Sequence, residues 1–192
     1  MATKLQQNQG KRLPEARRTL FSMRAKRGFS LIELLIVVAI ILIIAAIALP
    51  NLTRARIAAN ESAGAGTVRT LNTAEATYST TYPSNGYAPN LTPLGPNGVD
   101  CTVAANVSSA SACLIDNTLG TAPFIKGAYT YNISSNASTP PVPDYFLTAI
   151  SLTKTAATRD YCSTMDQVIH FQVTTGSGIA SPSVCDKLAA IQ

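Results

Sequence analysis

The chain has 192 residues and a formal net charge of +5, enough for one ordinary domain beyond a short extension. The charge is unevenly placed: residues 1–28 carry eight Lys and Arg against Glu15, a balance of +7 that leaves −2 for the remainder. The basicity therefore belongs to a leader rather than to a domain, and the high pI is no argument for nucleic-acid binding.

Behind the leader runs RGFSLIELLIVVAIILIIAAIALP, Arg27 to Pro50. Its 21 residues from Phe29 to Leu49 contain one charge, Glu33. About 20 apolar residues of helix cross a bilayer's hydrocarbon core, so the run is long enough to span. Basic residues beside a span stay in the cytoplasm, which places the rest of the chain on the exported side. A carboxylate near the start of a span costs a few kcal/mol without a partner and makes Glu33 a functional candidate. The plainer alternative has Glu33 snorkelling to the headgroups. A cleavable secretory signal would have a shorter apolar core, of about 7–15 residues, before a small-residue site. Ala45, Ala46 and Ala48 imitate such a site, but that reading leaves Glu33 unexplained.

Helical character continues past Pro50, whose missing N–H should kink the helix. Across residues 51–82, Val68, Leu71, Tyr78 and Tyr82 recur at helical spacing with Glu75 in the same stripe, predicting one face packed on a domain. Gly64 and Gly66 weaken the helix. Tyr82-Pro83-Ser84-Asn85-Gly86 ends it, and residues 83–127 read as loop-rich. Strands are predicted over 128–134, 145–152 and 168–174. A long helix followed by strands, without repeats, gives an α+β fold with an antiparallel sheet.

All four cysteines lie beyond the span, at Cys101, Cys113, Cys162 and Cys185. An even count in an exported segment favours disulfides. Three pairings are open, and ease of loop closure favours Cys101–Cys113 and Cys162–Cys185, the latter stapling the last strand to the C-terminal tail. No C-x-x-C, GxSxG, phosphate-binding glycine loop or HExxH occurs, so neither enzyme chemistry nor a zinc site is indicated. His170 falls in an alternating strand without an identifiable nucleophile or carboxylate beside it. Asp144, Asp160, Asp166 and Asp186 could offer oxygens to calcium but are not spaced as an EF-hand; no metal or cofactor is expected.

Arg27-Gly28-Phe29-Ser30-Leu31-Ile32-Glu33-Leu34 resembles the prepilin-type cleavage and methylation motif of type IV pilins and type II secretion pseudopilins. The resemblance implies a pilin-like fold, a peptidase cut after Gly28, a methylated Phe29 terminus, and a Glu33 that meets the Phe29 amine of a neighbouring subunit. Pro50 also stands where many family members have a proline. The implied organisation is a basic leader over 1–28, a transmembrane and assembly helix over 29–50, its continuation over 51–82, and a loop-plus-sheet head over 83–192. The implied partners are further copies of the chain, other pilin-like subunits, the prepilin peptidase and methyltransferase, and an inner-membrane assembly platform. The precursor would reside in a bacterial inner membrane and then in an extracellular pilus or, for a pseudopilin, a periplasmic fibre. A reading of another class is a membrane-anchored binding module that keeps its leader and never polymerises.

Overall fold

The computed structural model describes residues 28–137 and 139–191; residues 1–27, which hold nearly all of the expected leader, lie outside them. The chain divides into two compact units between Ile43 and Ile44.

In the first unit Gly28, Phe29 and Ser30 are irregular, and a helix starts at Leu31. This helix, α1, covers Leu31–Thr81 with Pro50 inside it. Its large apolar side chains from Leu31 to Ile43 are all exposed, as expected of a surface that lipid or other helices would cover.

In the second unit the C-terminal part of α1 packs on an antiparallel sheet. Its strands are β1 (Ile125–Lys126), β2 (Tyr129–Ser134), β3 (Phe146–Ser151), β4 (Arg159–Thr164), β5 (Ile169–Val173) and β6 (Ala189–Ala190), paired in sequence order. Register places Tyr131, Ala149, Tyr161, Phe171 and Ala189 in one row across the sheet. Since side chains alternate along a strand, that row and the residues two positions from it define the face toward α1. There Val68, Leu71, Ala74 and Tyr78 meet Tyr129, Tyr131, Leu147 and Tyr161 in the main core. Val68, Leu71 and Tyr78 of the predicted stripe are buried and Glu75 with them, while Tyr82 lies one residue past the end of α1 and is half-buried.

Polar contacts fix the helix on the sheet. Asn72 donates to Ser163 Oγ at 2.8 Å and accepts from the Tyr145 hydroxyl at 3.2 Å. Glu61 Oε1 accepts from the Thr158 N–H at 3.0 Å, and the Asn60 amide donates to the Ala156 carbonyl at 2.7 Å, tying the β3–β4 loop to α1.

The other face of the sheet is covered by the C-terminal segment, with Phe146, Cys162, Ile179 and Cys185 forming a second, smaller core. Disulfides join Cys101 to Cys113 and Cys162 to Cys185. Cys162 lies in β4, a strand that the sequence pattern does not predict, so its bond ties the middle of the sheet to a short helix, α3 (Pro182–Cys185), rather than stapling the last strand. β4 is hidden because RDYCST shows little apolar alternation. Its burial is satisfied residue by residue instead: Tyr161 in the main core, Cys162 in a disulfide, Ser163 on Asn72. The loop-rich region holds two 3-10 turns, Thr92–Leu94 and Ala104–Asn106, the short helix α2 (Asn117–Gly120) and the short edge strand β1.

Two glycines of α1 differ in what surrounds them. A Cβ on Gly64 would stand 2.5 Å from the ring of buried Tyr129, whereas one on Gly66 would meet nothing within 4 Å. Gly64→Val is expected to lower the unfolding free energy by at least ~2 kcal/mol through overpacking. Gly66→Ala should raise it by about 0.5–1 kcal/mol, as alanine replaces glycine within a helix. Denaturant titration followed by tyrosine fluorescence measures both, and an unchanged midpoint for Gly64→Val would contradict the Tyr129 contact.

Candidate cleavage and assembly site

The residues singled out at the start of the apolar run lie at the beginning of α1, Gly28 and Phe29 before it and Glu33 in its first turn. Gly28 and Phe29 lie in exposed, irregular chain immediately before α1, and the Phe29 side chain is 78% exposed. Backbone outside a helix is free of the helix's own hydrogen bonding. A Cβ on Gly28 would meet nothing within 4 Å among the described residues, and its φ lies outside the left-handed region. Neither space nor backbone conformation among the described residues requires glycine at this position.

Ser30 is the residue before the helix, and its carbonyl accepts from the Leu34 N–H at 3.2 Å. Glu33, three residues on, turns back so that Oε2 accepts from the Ser30 N–H at 2.9 Å. This is the carboxylate half of a capping box, which satisfies a donor left over at a helix start. The negative charge also sits at the positive end of the helix dipole. This local role is absent from the sequence-based expectation, although the Ser-x-x-Glu spacing carries it. Along the helix, Pro50 has no N–H to offer the Ala46 carbonyl. Just beyond, the Asn51 amide and the Thr53 hydroxyl donate to the Ile47 and Leu49 carbonyls at 3.2 and 3.1 Å.

Two comparisons bear on this arrangement. A family model described as the prokaryotic N-terminal methylation motif matches residues 23–49. The type IV wide pilus major component PilA4 of Thermus thermophilus is 37% identical to the chain over 129 residues, which is 62% of this chain and 97% of that protein. The chain belongs to the type IV pilin family. No solved structure matches it.

In the head of this pilin the other candidates are dispersed. Asp144 accepts from Ser135 and Asn136, and Asp166 from Thr164 and the Val168 N–H, while Asp160 is buried within the sheet. Asp144 and Asp186 line one cavity of about 390 Å³ together with Met165 and Phe146. Among the described residues no three His, Cys, Asp or Glu side chains converge as a metal site would require. His170 is buried on the C-terminal side of the sheet, its Nδ1 2.8 Å from the Leu188 carbonyl. It holds the chain that returns to form β6.

Proposed function

We propose that this chain is the precursor of a structural subunit that is cut after Gly28, methylated at Phe29 and polymerised into a pilus fibre. The observation that carries the proposal is the pairing of an accessible Gly28–Phe29 bond with an apolar helix that starts two residues later. Cleavage there leaves the whole helix on the product, so the subunit stays in the membrane until it is extracted. Residues 29–50 serve first as anchor and then as the shared core of the fibre, 51–82 continue that helix, and the remainder forms the coat. The similarity to a pilus major component supports a role as a fibre subunit; a secretion pseudopilin is the alternative. Self-association is the principal partnership; a processing peptidase with methyltransferase activity and an inner-membrane platform complete the set.

Glu33 is the proposed assembly charge. Cleavage converts the Phe29 amide nitrogen into an ammonium group, and an ammonium and a carboxylate lower one another's burial cost in an apolar setting. The single Ser30 N–H bond leaves the carboxylate with acceptor capacity for that partner. Pro50, lacking one hydrogen bond, supplies a place for the helix to bend during packing.

The N-terminal mass of protein purified from membranes tests the processing step. The expected species begins at Phe29 and carries one added methyl group. An intact leader, or a terminus after Ala45–Ala48, would refute it.

A further inference from the structure

The C-terminal part of α1 carries a second carboxylate, away from the candidate cleavage and assembly site. Glu75 is completely buried. Its Oε2 accepts from the Ala88 N–H at 2.9 Å, and among the described residues its Oε1 has no hydrogen-bond partner. Tyr78 faces it from α1 and Tyr145 from the residue before β3. The Tyr87 ring packs 5.0 Å from Tyr145, and the charge of Asp166, in the β4–β5 turn, also acts on the Tyr145 hydroxyl. None of these groups is a cation, and ionising Tyr78 or Tyr145 would add negative charge beside Glu75.

Ala88 belongs to the segment over 83–94 that leaves the end of α1. This segment buries Ala88, Leu91 and Leu94 in the main core. It also supports the Cys101–Cys113 loop, because the Pro93 and Leu94 carbonyls accept from the Ala112, Leu114 and Ile115 amides. At its other end Gly86, at φ +73, abuts Val142 so closely that a Cβ would stand 2.2 Å from the Val142 oxygen. The bond from Ala88 to Glu75 thus joins α1 to the root of the whole irregular layer.

We propose that Glu75 is a pH-operated latch: as the neutral acid it holds the 83–94 segment on α1, and once ionised it is relieved by lifting that segment into water. The geometry explains the direction. An uncharged carboxyl tolerates a dry site with one bond, whereas a carboxylate there has neither a cation nor a second donor. Burial pushes the Glu75 carboxyl up to about 8, against the smaller opposing pull of the Ala88 N–H. The closed state is therefore favoured fully below the ordinary carboxylate value of 4.5, and that advantage is lost as pH rises to about 8. This inference does not depend on polymerisation.

Amide exchange of the full-length chain in detergent micelles, corrected for the intrinsic pH dependence of exchange, tests the latch. Opening of residues 86–94 should increase about tenfold per pH unit between roughly pH 5 and 8 and then level off. Glu75→Gln should make that profile flat, and the amides of β3 and β4 should show no such slope in either protein. A wild-type profile as flat as that of Glu75→Gln, or a slope shared equally by β3 and β4, overturns the latch. Should Glu75→Gln not fold, carboxyl-carbon NMR of wild-type Glu75 decides: a midpoint near 8 supports the proposal, and a carboxylate already ionised at pH 6 refutes it.

Discussion

Filament yield should fall at least a hundredfold when Glu33 is replaced by alanine, while removal of the leader continues. Breaking a buried charge pair by deleting one partner costs about 3–5 kcal/mol. That corresponds to a factor of at least ~10² in a single subunit contact, and the cost recurs at every addition. The capping bond complicates the simple variant, because alanine also removes the acceptor for the Ser30 N–H. Such a cap contributes about 1 kcal/mol to a helix start. Glu33→Gln separates the two effects: its amide oxygen can still accept from Ser30, but it has no charge for the Phe29 ammonium. If charge pairing drives assembly, the glutamine and alanine variants should be nearly equally defective. Wild-type filament yield from Glu33→Gln would reduce Glu33 to a helix cap. Electron microscopy of sheared fibres gives the yield, and the mass of the membrane-bound subunit reports processing in the same cells.

The apolar run, the helical stripe and the cysteines are legible in the sequence because each depends on a pattern that any packing must respect. A span needs about 20 apolar residues, and Val68, Leu71 and Tyr78 can share a buried face only at helical spacing. What stays hidden depends on particular partners. β4 escapes the pattern because Asp160 and Ser163 read as polar positions, yet both are buried: Ser163 receives the Asn72 amide, and Asp160 accepts from the Ser151 N–H at 2.9 Å. Gly64 reads as a weak point in the helix, whereas it is where the Tyr129 ring comes closest. Glu75 falls correctly in the stripe, but periodicity says nothing about whether a carboxylate finds a cation. The cleavage motif is legible for a different reason. It is carried by consecutive residues, within the matched stretch 23–49, and depends on no packing partner.

Replacing both Cys162 and Cys185 with alanine should cost the head about 3–5 kcal/mol, more than the same treatment of Cys101 and Cys113. Loop length alone separates the pairs little: 23 residues against 12, each worth roughly 3 kcal/mol in the chain-entropy picture. Burial makes the difference. Cys162 and Cys185 are both fully buried among Phe146 and Ile179, while Cys101 is exposed. Deleting the buried sulfurs leaves a gap in a small core, which adds about 1 kcal/mol or more. It also loosens the C-terminal segment that covers this face, where Asp160 Oδ2 is buried without a partner among the described residues and water would hydrate it on opening. With the cross-link gone, β5–β6 pairing, the His170–Leu188 contact and the Gln172–Gly178 bond still hold that segment. The chain has no tryptophan, so unfolding is followed through the tyrosines, of which Tyr129, Tyr131 and Tyr161 are in the main core. The same contrast predicts the order of reduction. A thiol reductant without denaturant should open Cys101–Cys113 first, leaving Cys162–Cys185 protected until the C-terminal segment lifts, as alkylation and peptide mass would record. Equal loss of stability from the two double variants, together with simultaneous reduction, would show that the C-terminal segment does not seal that face of the sheet.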